Sequence, residues 1–215
     1  MNKILFQSLG VTLGVLLLLK FAQIFLPASW MGLLTPALLL YVPFFILTRR
    51  GEAISFIDRS WRQFGLGCFV FLITVLVIFP PYMVAAHYWM MHVFHFQHFV
   101  PASWTHLFDY AGYQLLVVAI PEEFFFRGYL QTQFNKVWQT KWRLLGANLG
   151  WGWIVASLVF AFAHSVISLQ WWHFSIFFPA LLFGYLKERT GSITAPVLFH
   201  TFCNCFMNWF AASYF

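Results

Sequence analysis

The sequence has very little charge. Only 8% of its 215 residues are Asp, Glu, Lys or Arg, while 61% are hydrophobic; soluble domains carry roughly 25% charged residues. A chain this poor in charge cannot cover a water-facing surface, which excludes an ordinary soluble domain. Acids are scarcest, with six Asp and Glu against twelve Lys and Arg and an isoelectric point near 9.4. That excess does not point to nucleic acid. The basic residues sit in short connections between apolar runs, where they orient a membrane protein. Cysteine is also sparse. Cys68, Cys203 and Cys205 form no CxxC pair and no zinc-type spacing, and they read as small apolar residues in helix packing. There is no polar linker long enough for a soluble domain, no internal repeat and no low-complexity tract. The basic start "MNKILFQSLGVTLGVLLLLKFAQIFLPASW" lacks the short apolar core of a cleaved signal. Its apolar run passes twenty residues and a second follows at once, so it reads as a retained first transmembrane helix.

What is present is a series of long apolar segments. A spanning helix needs about 20 such residues, and seven candidates appear at 4–26, 31–48, 64–86, 108–131, 150–170, 172–187 and 192–213. The sixth is the shortest. The expected fold class is all-α, a polytopic membrane helix bundle of about seven transmembrane helices forming one integral domain over 1–215. Residues 1–106 supply helices without a motif, and residues 107–215 supply a core. Seven alternating spans put Lys3, Arg49, Arg50, Arg59, Arg62, Lys136, Lys141, Arg143, Lys187 and Arg189 on one side. By the positive-inside rule, the N-terminus is cytoplasmic and the C-terminus exoplasmic. Lys20, near the outer end of its span, can snorkel; Arg127 lies deeper.

An ionisable side chain at membrane depth costs roughly 2.5–3.5 kcal/mol and normally faces the bundle interior. The stretch "PEEFFFRGYL" at 121–130 holds Glu122, Glu123 and Arg127. Glu123 and Arg127 are four apart and can pair on one helix face. Glu122 is turned about 100° away, and one arginine neutralises only one carboxylate. Pro121 removes a backbone donor between them and the preceding turn. His164 in "FAFAHS" lies one turn after Phe160. His200 and Asn204 in "LFHTFCNCF" share a face, and neutral imidazole and amide both donate hydrogen bonds. Each group taken singly has a structural reading: an ion pair between helices, a core histidine, or interhelical glue. His87, His92, His95, His98 and His106 sit in and around a loop rich in Trp, Tyr and Met. With no accompanying acid or Cys, they read as interfacial histidines rather than a metal site.

Together the first three groups supply what is needed to add water to an acyl carbon. A carboxylate in a low-dielectric site can accept a proton near neutral pH, an imidazole can position the water, and donors can hold the developing oxyanion. No Ser or Cys stands in a recognisable triad.

These residues resemble a known family. "EEFFFR" at 122–127 is similar to the EExxxR motif of the CAAX-protease and bacteriocin-processing (CPBP, or Abi) family. "FAFAH" at 160–164 resembles its FxxxH motif, and "HTFCN" at 200–204 its HxxxN motif. The trio occurs in order on three separate apolar segments, and only in the C-terminal half. The resemblance implies a glutamate-dependent intramembrane endopeptidase. Glu122 is then the general base and His164 helps activate the water. His200 and Asn204 form the oxyanion hole, and Glu123 and Arg127 support the base. Zinc on Glu122, His164 and His200 is conceivable, but no HExxH helix is present, so no metal and no cofactor are expected. The implied partner is a membrane-anchored protein or peptide substrate in the bilayer, lipidated or carrying a C-terminal sorting tail. With 215 residues and little outside the bilayer, the chain looks like a compact bacterial member, expected in the cell (inner) membrane. Two other classes remain open: a non-catalytic immunity or binding protein on the same fold, and a proton-coupled transporter. No inverted repeat favours the transporter.

Overall fold

A computed structural model describes residues 2–103, 105 and 107–215. Three long helices come first: α1 (Asn2–Phe25), α2 (Ala28–Arg49) and α3 (Trp61–His92). The start of α3 is capped reciprocally. Ser60 Oγ accepts from Gln63 N–H (3.2 Å), and Gln63 Oε1 accepts from Arg59 N–H (3.0 Å), an arrangement that supports a helix start by about 1 kcal/mol. The outward faces are strongly apolar: Leu17, Phe21 and Ile24 on α1 and Leu76 and Val84 on α3 are exposed. Exposed apolar surface on that scale marks a face covered by something other than water; here a bilayer covers it.

The next helical column is not a simple α-helix. α4 (Leu107–Tyr113) leads into a π-helical segment (Gln114–Ala119), then α5 (Ile120–Glu123), a second π segment (Phe124–Gln131) and α6 (Thr132–Trp138). Pro121 has no N–H to give to the ladder. Just before it, Ile120 N–H bonds Leu115 O, five residues back. π segments occur mostly as short insertions in α-helices, frequently at functional sites.

The connection between the fourth and fifth expected segments begins with α6 and is structured beyond it. It closes into a small hairpin, β1 (Trp142–Leu144) paired antiparallel with β2 (Ala147–Leu149). Its two-residue turn, Leu145 and Gly146, has φ of 43° and 86°, the left-handed geometry that suits the twist of a tight hairpin. Then come α7 (Trp151–Ser168), a 3₁₀ turn (Trp171–Ile176), α8 (Phe177–Thr190) and α9 (Thr194–Ala212). All seven segments expected from the sequence are helical, and the protein is an all-α bundle. Among the described residues, four helices are long and apolar enough to cross a membrane: α1, α2, α3 and α7. The sixth expected span is divided between the 3₁₀ turn and α8.

The core lies where the broken column meets α7, α8 and α9. Phe124, Phe125 and Phe126 are all buried. Phe126 meets Phe160 of α7 edge-on, with ring centroids 4.9 Å apart. From the α2–α3 loop, Phe56 inserts against Phe124 (5.0 Å) and over Gly128, where an added Cβ would lie 2.4 Å from its ring. Only glycine permits that approach. The same loop is held from below. Glu52 takes hydrogen bonds from Gln133 (2.8 Å) and Lys136 (2.6 Å) of α6. Partial burial pushes the Glu52 carboxyl upward, but the bonds from Lys136 and Gln133 and the charges of Lys136 and Arg50 outweigh it and hold it below the usual carboxylate range.

Candidate active site

Glu122 and Glu123 occupy the short α5 between the two π segments, and their environments differ. Glu123 is fully buried. Its Oε2 lies 3.3 Å from Arg127 Nε, the i, i+4 pair the sequence predicts, and its Oε1 lies 2.9 Å from His200 Nδ1. Arg127 is equally buried. It donates to Ala180 O of α8 (3.3 Å), and its guanidinium carbon sits 4.0 Å from the Phe160 ring centroid and 5.2 Å from that of Phe183. Two aromatic faces and one carboxylate therefore share the cation, so its burial is compensated from several directions.

Glu122 faces the other way. Its Oε2 is buried without a hydrogen-bond partner. It lies 3.7 Å from His164 Nε2 of α7 and 3.8 Å from His200 Nε2 of α9. The three residues come from three separate elements and meet at one oxygen. Both rings are fixed from behind. His164 Nδ1 is 3.0 Å from Phe160 O. A carbonyl only accepts, so Nδ1 donates, and the neutral ring presents a lone pair at Nε2. His200 stacks on Phe183 (4.9 Å between centroids, 17° between planes) and donates from Nδ1 to Glu123. This sharpens the expectation from sequence. The single N–H of a neutral His200 is already committed to Glu123, so its Nε2 can donate to a substrate only as imidazolium.

Asn204, one turn after His200, donates from Nδ2 to Gln114 Oε1 at 2.7 Å. Gln114 is buried in the first π segment. The sequence reading missed it, because one glutamine in "YQLLVVAI" was passed over as part of an apolar run. Its only signal was an amide at membrane depth eight residues before Glu122. A polar ladder below Arg127 was missed as well. Gln131 donates to Gly184 O (3.0 Å) and Glu188 (2.9 Å), and Asn135 donates to Glu188 (2.8 Å).

A cavity of about 220 Å³ lies beside Glu122 and His164, walled by Leu16 and Leu19 of α1, Leu39 of α2 and Ile167 of α7. A second, of about 300 Å³, reaches Glu122 between α2 and the 107–138 column, past Gly32, Thr35, Tyr113 and Val117. The helices without a motif thus line both approaches. Lys20 does not simply reach for the interface; it donates to Ile167 O at the end of α7 (2.9 Å) and to Gln23 (3.4 Å).

The loop histidines disperse. His87 bonds Tyr214 (2.6 Å), His92 bonds Tyr88 O on its own helix (3.0 Å), and the His98 ring lies beside Phe215. His106 lies outside the described residues. Among the described residues, no group of three or more His, Cys, Asp or Glu side chains is arranged to hold a metal ion, and Cys68, Cys203 and Cys205 are free thiols.

Residues 104–206, the stretch bearing all three motifs and both π segments, match the family model described as Type II CAAX prenyl endopeptidase Rce1-like. The resemblance to the CPBP family rests on more than three short motifs, and that family is one of proteases. No curated protein and no solved structure gives a match.

Proposed function

We propose that this integral membrane protein, Rce1-like over its C-terminal half, is an intramembrane endopeptidase that hydrolyses a peptide bond with Glu122 as general base. The observation that carries the reading is the meeting of Glu122 Oε2 with His164 Nε2 and His200 Nε2 at 3.7 and 3.8 Å. Those gaps exceed direct hydrogen bonds and suit a bridging water. A water there donates to the Glu122 carboxylate and to the His164 lone pair, and turns its own lone pair toward a substrate carbonyl. Attack forms the C–O bond. The proton passes to Glu122, which returns it to the leaving amine as the C–N bond breaks.

The developing oxyanion needs donors. Asn204 supplies an amide N–H. His200 supplies Nε2–H when its ring carries both protons, with Nδ1 held on Glu123. The adjacent glutamates divide the work: Glu123 is held by Arg127 and His200, and Glu122 is left open to the water. Glu123 then acts on His200 as well as on Arg127.

The two cavities that share Glu122 suit a peptide lying across it, with chain on both sides of the bond to be cut. The substrate is a membrane-associated protein or peptide, lipidated or bearing a C-terminal tail in the bilayer. The chain forms one membrane domain in the cell membrane, with the N-terminus cytoplasmic and the C-terminus exoplasmic. Mass spectrometry of membrane peptides from cells carrying the wild type or Glu122→Gln tests the reading. A cleavage found only with the wild type is the expected result. Identical peptide sets from the two strains, with both proteins inserted, contradict it.

A further inference from the structure

Asn204 is one of two residues assigned above to the oxyanion, yet an asparagine amide is ambiguous by itself. Rotated by 180° about its last torsion, it presents an acceptor oxygen where a donor is needed. Something must choose between these orientations, and at membrane depth water is a poor candidate.

The structure supplies a buried partner. Gln114 Oε1 lies 2.7 Å from Asn204 Nδ2, at the short end of the range for N–H···O bonds. Gln114 is only 8% exposed, so its amide does not trade this bond for solvent. The first π segment places Gln114 on the side of the column that packs against α9. The column therefore carries both Glu122 and the residue that orients Asn204.

We propose that Gln114 is a positioning residue that holds the Asn204 amide in its donor orientation. The proposal rests on the hydrolytic reading above. The geometry of an amide makes it specific. The two N–H bonds of Asn204 diverge by about 120° in one plane. With one N–H committed to Gln114 oriented as it is, the direction of the other is fixed, and flipping Asn204 alone would set two oxygens against each other at 2.7 Å. Removing Gln114 leaves Asn204 present but free to flip. The loss should therefore fall in kcat and be smaller than that from removing the donor altogether, which is about 10²–10³-fold.

The test uses the full-length protein in proteoliposomes and the membrane peptide whose cleavage depends on Glu122. Gln114→Met, close in volume but without the oxygen acceptor, is expected to lower kcat about tenfold with KM unchanged. In the Asn204→Ala background it should cause no further loss, because residues acting through one group are not additive. Gln114→Glu keeps an oxygen acceptor and is expected to stay within about threefold of wild type; it also serves if the methionine variant fails to insert. Three outcomes overturn the proposal while leaving the endopeptidase reading intact: unchanged kcat in Gln114→Met, losses that multiply with Asn204→Ala, or a Gln114→Glu defect as large as that of Gln114→Met. If no membrane peptide shows Glu122-dependent cleavage, the hydrolytic reading fails and the role of Gln114 falls with it.

Discussion

α3 and the helical column over 107–138 are equally long, yet they are built for different neighbours. α3 is continuous α-helix over 32 residues. Its only Asp, Glu, Lys or Arg is Arg62 near the start, and only 6% of its most apolar window is buried in protein. The column changes helix type four times along its length. It buries Gln114, Glu123, Arg127, Gln131 and Gln133. A helix facing lipid needs internal backbone bonds and apolar side chains, and nothing about its register matters further. A helix facing protein with ionisable groups must aim each one at a particular partner. Two π segments rotate the faces of the column until Glu123 meets His200, Glu122 meets His164, and Gln114 meets Asn204.

That contrast gives unequal sensitivities. The largest effect on stability is expected at Arg127. Arg127→Met leaves Glu123 buried without its cation, and a loss of about 3–5 kcal/mol is expected, read as a lowered unfolding midpoint in detergent. The Glu123→Gln, Arg127→Met double variant should recover most of it, because no uncompensated charge remains. A double variant no more stable than the single one would mean that the Glu123–His200 bond, and not the ion pair, holds the column. The smallest effect belongs to α3. Leu76→Ala, at a side chain 69% exposed in the bundle, should change stability by no more than about 0.5 kcal/mol in the same assay. A loss of about 2–5 kcal/mol, typical of a core leucine, would show that protein covers this face of α3.

The sequence made some of this legible and hid the rest, for physical reasons. Long apolar runs announce helices regardless of packing, so all seven helical segments were visible. The Glu123–Arg127 pair was visible because i, i+4 spacing is local, and the separation of Glu122 from it followed from one residue of helical rotation. The bond between Glu123 and His200 spans 77 residues and has no local signature. Gln114 was hidden for a related reason, since its partner is 90 residues away and a π register cannot be read from apolar periodicity. The α2–α3 loop looked like a simple connection. In the folded chain it plugs Phe56 over Gly128, and its Ile193 contact, N–H to Phe56 O at 2.9 Å, anchors the start of α9. The roles of α1 and α2 as walls of the cavities also depend on tertiary placement alone.

The account stands on Glu122 and His164 handling one water together. The direct measurement is the cleavage rate of the Glu122-dependent peptide by purified wild type, Glu122→Gln, His164→Ala and the double variant in proteoliposomes. Residues that act as a unit lose nearly all their effect at the first deletion. All three variants should therefore fall to a common floor, about 10³-fold or more below wild type. Independent losses that multiply in the double variant, or substantial cleavage by Glu122→Gln, would contradict it.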